Sequence, residues 1–381
     1  MSHDPPVIPP PDGEVYLKRR ADLWSSPELA DLDAFLVTTP IHHRYLCGFS
    51  GSSASLVLTG KRAHFLTDGR YCEQSTHEVK EADIMIVDGP LRYSLGEHLS
   101  SWWRVGFEAG QLTVTELRLL EESYPEITWV PVTDCMERLR AVKDEYEIAS
   151  LCGAAEIACQ VLSRVASRIG PGQSEREIAG ELEGNLRKTG SEGSAFEPIV
   201  VSGTGSSRPH GKASDRVIGE GECLTIDFGA ILNGYHSDLT RTFVLGAPVD
   251  EFLEWQGVLD QAIEAALDSM EPGMPCQELD RVARAVIDSA GFGEYFVHNL
   301  GHGIGLEVHE APHISRTSAG TLAVGMAYTI EPGIYVPGLG GMRIEEDVLM
   351  TDNGPELLTR FPRSLALPEP DSFSDRLPGA E

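Results

Sequence analysis

The sequence predicts an α+β chain of two dissimilar parts: a mixed α/β first domain, then an internally repeated domain whose composite sheet is backed by paired helices. Three observations predict this. At 381 residues the chain exceeds the usual single-domain size. Up to about Pro131, short apolar runs alternate with helical stretches. Beyond it, the order helix, Pro-Gly turn, helix, strands occurs twice, about a hundred residues apart.

Residues 1–14 (MSHDPPVIPPPDGE) read as a flexible leader, because Pro-Pro and Pro-Pro-Pro runs resist helix and sheet. Residues 15–133 form the first domain, with strands at Ala34–Val37, Ser55–Leu58, Ala63–Leu66, Ile84–Val87 and Val105–Phe107. Its helices fall over Gly69–Val79 and Thr113–Ser123, and His42-His43 are assigned to a surface loop. Pro125, Pro131 and the polar Thr133-Asp134 mark the boundary, and the second domain runs over 134–362. There a long helix, Glu145 to Arg168, leads into Gly170-Pro171-Gly172. The next helix is N-capped by Ser174, with Glu177 three residues on to complete a capping box. A helix from Glu251 to Met270, the turn Glu271-Pro272-Gly273 and a helix from Cys276 repeat the scheme. Strand-rich sequence, 196–246 and 297–350, follows each helix pair, which implies an internal pseudo-two-fold. Residues 363–381, rich in Pro, Asp and Glu, read as a tail.

Composition narrows the partners. With 59 acidic against 30 basic residues the net charge is −29, and neither nucleic acid nor an anionic membrane attracts such a surface. A hydrophobic content of 41% is ample for a core. No apolar run approaches the ~20 residues that span a bilayer, and the start lacks the apolar segment of a secretory signal. The seven cysteines are scattered without a C-x-x-C pair, as free thiols in a reducing compartment would be. These features together predict a cytoplasmic protein.

The chemistry lies in four segments of the second domain. In LTIDFGAILNGYHSDLTRTFVL (224–245), Asn233-Gly234 signals a type I′ hairpin turn. Counting outward, Leu232 pairs with Tyr235 and Gly229 lies opposite Asp238. Asp227 then shares a face with Asp238, and the side-chain-free Gly229 is expected to leave space between them. Two facing acids repel unless a cation or a proton sits between them. YFVHNLGHGIGLEVHEAP (295–312) sets His298, His302 and His309 among glycines, as backbone packed closely round a metal or substrate requires. His309 to His313 spells H-E-x-x-H, but that zinc motif needs a helix and Pro312 would break one. In YTIEPGIYVPG, Glu331 ends an apolar strand just before Pro332-Gly333. In GGMRIEEDVLM, Arg343 and Glu345 point to one side of an extended strand and Ile344 and Glu346 to the other. A further histidine, His210, sits between Pro209 and Gly211 in a loop.

The order Asp227, Asp238, His302, Glu331, Glu345, within the strings DFG…SDLTRTF, HGIGLEVHE, TIEPGIY and RIEEDV, resembles the metal set of the pita-bread metallopeptidases. Residues 45–71 are similar to the creatinase-like N-terminal domain of the aminopeptidase P and prolidase branch. The resemblance implies a pita-bread catalytic domain in which Asp238, His302 and Glu331 hold one metal and Asp227 chelates the other. Asp238 and Glu345 would bridge two ions about 3.5–4 Å apart. It implies that Glu331 moves the proton and that His309 and His210 stabilise the tetrahedral intermediate. His298, Tyr335 and Arg343 would line the proline-side pocket. Oxygen-rich ligation with one imidazole favours Mn²⁺ over Co²⁺ or Zn²⁺. The expected activity is hydrolysis of the bond between an N-terminal residue and a following proline, in the manner of aminopeptidase P. The alternatives are a dipeptide-restricted prolidase and, from another class, an inactive peptide-binding module of the same fold. A homo-oligomer, dimer or tetramer, is expected by the same resemblance.

Overall fold

The computed structural model describes residues 8–88, 95 and 103–369. Most of the expected leader (1–7) and most of the expected tail (370–381) therefore lie outside the described residues. Two compact units are present, one from Pro9 to Arg140 and the other from Ala141 onward, joined by Ile8.

The first unit is built on a six-stranded mixed sheet. Its strands are β1 (Ala34–Val37), β2 (Ala54–Leu58), β3 (Ala63–Asp68), β4 (Asp83–Val87), β5 (Arg104–Glu108) and β6 (Thr128–Val132), in the order β4-β3-β2-β1-β5-β6. Every residue of the central β1 is buried, as the unbroken run AFLV requires of a strand covered on both faces. Pro131 falls in β6, at the sheet edge, where its missing N–H costs no ladder bond. That strand was not anticipated.

Helix α1 (Gly13–Trp24) starts within the stretch read as leader, because Asp12 accepts the N–H groups of Glu14 and Val15 and caps it. Helix α2 (Pro40–Cys47) carries His42 and His43, which are buried rather than in a surface loop. The His42 Nδ1–H donates to Glu108, and its Nε2 accepts from Arg140 Nη1 at 2.8 Å. Partners beyond the reach of local sequence account for the misreading. The same Glu108 carboxylate takes the Thr38 and Thr39 N–H groups at 2.7 and 3.1 Å.

The second unit repeats itself as expected. Helices α6 (Glu145–Ala166) and α7 (Glu175–Lys188) back a three-stranded sheet of β7 (Ile199–Ser202), β8 (Cys223–Phe228) and β11 (Leu239–Val244), ordered β11-β8-β7. Among the described residues, α3 (Cys72–Glu78), α4 (Val114–Ser123) and α5 (Cys135–Ala141) lie between α2 and α6. Helices α8 (Asp250–Ser269) and α9 (Cys276–Ser289) accompany the second sheet. Its strands are β12 (Gly301–Gly303), β13 (Glu310–Ile314), β14 (Ala327–Ile330), β17 (Glu346–Thr351) and β18 (Gly354–Leu357), ordered β13-β12-β14-β17-β18. The Ser174–Glu177 capping box is formed in full. Helix α6 is long and apolar enough to cross a membrane, which the sequence reading did not anticipate. Its apolar side chains, among them Leu151, Ile157, Val161 and Leu162, are core residues here.

The hairpin register is the one counted from Asn233-Gly234. Both residues have positive φ, 50° and 77°, and Leu232 of β9 (Ile231–Leu232) pairs with Tyr235 of β10 (Tyr235–His236). The same register continues through Phe228–Leu239 and Asp227–Thr240. One detail differs. Gly229 does not open a space, because a Cβ there would run into the Ser237 carbonyl oxygen and the Ala195 methyl group. Glycine is needed so that two backbones can touch. Gly229→Ala should lower stability by about 3 kcal/mol, at the upper end of overpacking costs. A denaturant midpoint unchanged from the parent chain would show that reading wrong.

Candidate metal centre

Five acids and one histidine of the second unit meet where strands end. Asp227 projects from β8, Asp238 precedes β11, and Glu331 follows β14. Glu345 lies in the link between β16 (Gly340–Arg343) and β17, after β15 (Gly333–Val336) has paired with β16. His302 is in β12, and Asp347 in β17. Ligand atoms of Asp238, His302 and Glu345 all lie within 4.8 Å of one another. The His302 Nε2 is 3.5 Å from Glu331 Oε1 and 3.9 Å from Asp238 Oδ2. Its Nδ1–H faces the Gly303 carbonyl at 3.1 Å, which leaves the lone pair on Nε2 aimed at the acids.

Backbone geometry holds these groups in place. The Glu345 N–H donates to Thr240 O (3.1 Å), and Thr240 Oγ1–H donates to Glu345 Oε2 (2.6 Å). Arg241, whose Nη2 donates to both carboxylate oxygens of the buried Glu346, donates through Nη1 to the Glu345 carbonyl at 2.6 Å. Thr329 Oγ1 accepts the His302 N–H at 3.2 Å. Thr240, Arg241, Thr329 and Asp347 were not singled out as site residues in the sequence. The available signal was that Thr240 and Arg241 lie within SDLTRTF, Thr329 opens TIEPGIY and Asp347 lies within RIEEDV.

The electrostatics are those of buried acids crowded together, more of them than Arg343 alone balances. Burial, with Glu345 and Asp227 nearby, pushes the Asp238 carboxyl well above the usual range. Burial and Glu345 do the same to Glu331. Burial and Asp227 raise Glu345 to about 8. Three buried carboxylate oxygens in this cluster, Asp227 Oδ1, Asp238 Oδ1 and Asp347 Oδ1, have no hydrogen-bond partner among the described residues. Unpaired anionic oxygens beside an imidazole lone pair match the donor set of a divalent cation, so the residues fit the metal that the sequence motif implies.

The other expected site residues arrange themselves around this cluster. Arg343 forms an ion pair with Asp227 Oδ2, and its Nη1 donates to the Tyr335 hydroxyl at 2.7 Å. Since the His298 Nδ1–H is turned to the Asn299 carbonyl (2.8 Å), its Nε2 accepts from the Tyr335 O–H at 3.0 Å. Arg343, Tyr335 and His298 thus form one directed chain, with Phe296 packed edge-on against the His298 ring at 5.1 Å. The His309 ring stands edge-on to His302, centroids 4.2 Å apart. His210 is exposed and joined to the cluster only electrostatically, through its effect on His298 and His309. The H-E-x-x-H stretch is strand from Glu310 to Ile314, so the zinc-helix reading fails as expected. Glu310 instead forms a buried ion pair with Lys143 at 2.9 Å.

Comparison with known proteins agrees with this geometry. The model of metallopeptidase family M24 matches residues 150–352, and that of the creatinase/prolidase N-terminal domain matches residues 19–142. An Xaa-Pro dipeptidase of Pyrococcus furiosus is 36% identical over 335 residues, spanning 88% of this chain and 95% of that relative. The structure of an Xaa-Pro dipeptidase from Bacillus anthracis superposes with a TM-score of 0.89 at 37% identity, covering 92% of this chain and 99% of that one. An X-Pro aminopeptidase from Thermotoga maritima superposes with a TM-score of 0.84 at 37% identity, covering 87% and 97%.

Proposed function

This chain belongs to metallopeptidase family M24, with a creatinase/prolidase N-terminal domain ahead of its pita-bread peptidase domain, and from that premise we propose that it is an Xaa-Pro dipeptidase. The observation that carries the proposal is the buried convergence of Asp238, His302 and Glu345 within 4.8 Å, with Glu331 against the same imidazole. The expected aminopeptidase P activity, for which the creatinase-like first domain is the sequence argument, has less support than the dipeptidase alternative. Full-length relatives named as dipeptidase and as aminopeptidase both span that domain, so its presence does not discriminate. The dipeptidase names recur among the relatives of similar sequence. An inactive peptide-binding module has no support, since all five expected ligand positions hold ligand-capable side chains.

In this reading Asp227, Asp238, His302, Glu331 and Glu345 hold two divalent ions, with Mn²⁺ favoured by an oxygen-rich set. When bound, such ions polarise the scissile carbonyl and lower the pKa of water toward neutrality. Glu331, whose burial raises its proton affinity, accepts the proton of the attacking water. It then delivers that proton to the leaving nitrogen, which in an Xaa-Pro bond carries no hydrogen of its own. His309 and His210 donate to the carbonyl oxygen as negative charge develops there. The Phe296 ring and the fixed His298–Tyr335–Arg343 chain wall the proline side of the cleft. Assembly as a homo-oligomer and a cytoplasmic location belong to the same proposal.

The test is one assay with added Mn²⁺, comparing an Ala-Pro dipeptide with an Xaa-Pro peptide of four or more residues. Rapid cleavage of the dipeptide and none of the longer peptide is expected. Comparable cleavage of the longer peptide would return the assignment to aminopeptidase P.

A further inference from the structure

We propose that Asp347 is a positioning residue of the metal centre, locking the backbone of Asp238 so that its carboxylate faces Glu345 and His302. The inference rests on the metal-site reading above and adds a residue that the ligand set does not contain. Asp347 is 1% exposed and sits in β17 directly across from Thr329, the residue that fixes the His302 N–H. Its Oδ2 accepts the Asp238 N–H at 2.9 Å, and its own N–H is held by Thr359 Oγ1 at 3.0 Å. Asp238 precedes β11 outside any ladder, so this side chain replaces the strand bond that its N–H would otherwise lack. The remaining oxygen, Oδ1, is buried with no hydrogen-bond partner among the described residues.

That placement is costly for stability alone. Glu345 and Glu346 repel a carboxylate at Asp347, as the Asp238 side chain does, and three of these four acids are consecutive in sequence. Any acceptor would cap the Asp238 N–H. The side chain is nonetheless held in that crowd by the Asp238 N–H, directly behind the groups that face the ion. The fold thus places Asp347 behind the ligands, one hydrogen bond from the backbone of Asp238. Groups in that position typically change metal affinity by about 10–100-fold when removed.

The experiment titrates Mn²⁺ calorimetrically into the full-length chain after removal of ions by EDTA, for the parent, Asp347→Ala and Asp347→Asn. Asparagine keeps an acceptor for the Asp238 N–H; alanine does not. We expect Asp347→Ala to weaken Mn²⁺ binding by about 10–100-fold, and Asp347→Asn to recover most of that loss. Melting of the ion-free variants separates positioning from a general structural role. A positioning residue leaves the ion-free melting temperature within a few degrees of the parent while the affinity falls. Equal Mn²⁺ affinity in parent and Asp347→Ala would overturn the proposal. So would an Asn variant as impaired as the Ala variant. Should the Ala variant not fold, the Asn variant still decides, because affinity lost tenfold or more in a folded Asn chain contradicts hydrogen-bond positioning. A parent chain that binds no Mn²⁺ would instead sink the metal reading itself, which keeps the two failures distinct.

Discussion

Glu331→Gln should reduce turnover of an Xaa-Pro dipeptide by at least about a thousandfold while leaving the fold intact. Two losses combine in this one change. The amide cannot take up and return a proton, and general acid–base catalysis alone contributes about 10²–10⁴-fold. The amide is also a poorer ligand for a hard cation than the carboxylate that now sits 3.5 Å from His302 Nε2. Stability should not suffer, because the neutral amide removes a charge from a crowded acidic cluster, where burial and Glu345 already raise Glu331's proton affinity. The measurement is kcat with saturating Mn²⁺, alongside the melting temperature. A variant that retains a tenth or more of parent activity would refute the role given to Glu331.

The second large effect is a pH dependence that ions should reverse. Burial and Asp227 raise Glu345 to about 8 in the folded chain, against about 4.5 when exposed. Between those values the folded state holds a proton that the unfolded state has released. The stability tied to that proton is therefore present at low pH and lost as pH rises toward 8. Asp238, Glu331 and Asp347 shift in the same direction, chiefly through burial. The histidines act oppositely: burial lowers His302 to about 4 and His298 to about 3, which weakens the fold as pH falls below the ordinary histidine value. The clean window is therefore pH 7.5 to 8.5, where the buried histidines are neutral in the folded chain and nearly all neutral in the unfolded one. There the ion-free chain should lose on the order of 1 kcal/mol from Glu345 alone, read as a melting temperature that drops by a few degrees. Added Mn²⁺ should raise the melting temperature more at pH 8.5 than at pH 7.5, because at pH 8.5 it displaces fewer protons. A melting temperature flat or rising across that window without ions would contradict the described charge crowding.

Much of this site was legible because short-range rules governed it. Asn233-Gly234 fixes one turn type, that turn fixes the register, and the register sets Asp227 on the face of Asp238 with nothing else known. Alternation along the strand likewise separates Arg343 and Glu345 from Glu346, even though residues 344 and 345 leave the ladder. What escaped depends on contacts distant in sequence. His42 reads as a surface residue until Glu108 and Arg140, 66 and 98 residues away, arrive to satisfy it. Asp347 reads as one acid in an acidic run until the hairpin brings the Asp238 N–H against it from 109 residues away. Arg363 and Leu365 were assigned to a peripheral tail. The structure ties them down through Glu346, through Glu264, and through the Val244 N–H donated to Leu365 O at 2.7 Å. Charged and apolar residues alternate there without a period, so no local pattern marks the segment as packed.

The claim on which the rest depends is that Asp227, Asp238, His302, Glu331 and Glu345 form one centre for two ions. Metal content per chain, measured by atomic emission after refilling the EDTA-treated protein with Mn²⁺ and followed together with Ala-Pro hydrolysis, tests it most directly. The account predicts two Mn²⁺ per chain, activity that appears only on refilling, and a chain lacking both when Asp238 is replaced by Asn. Full activity in the ion-free chain, or unchanged Mn²⁺ content in Asp238→Asn, would contradict it.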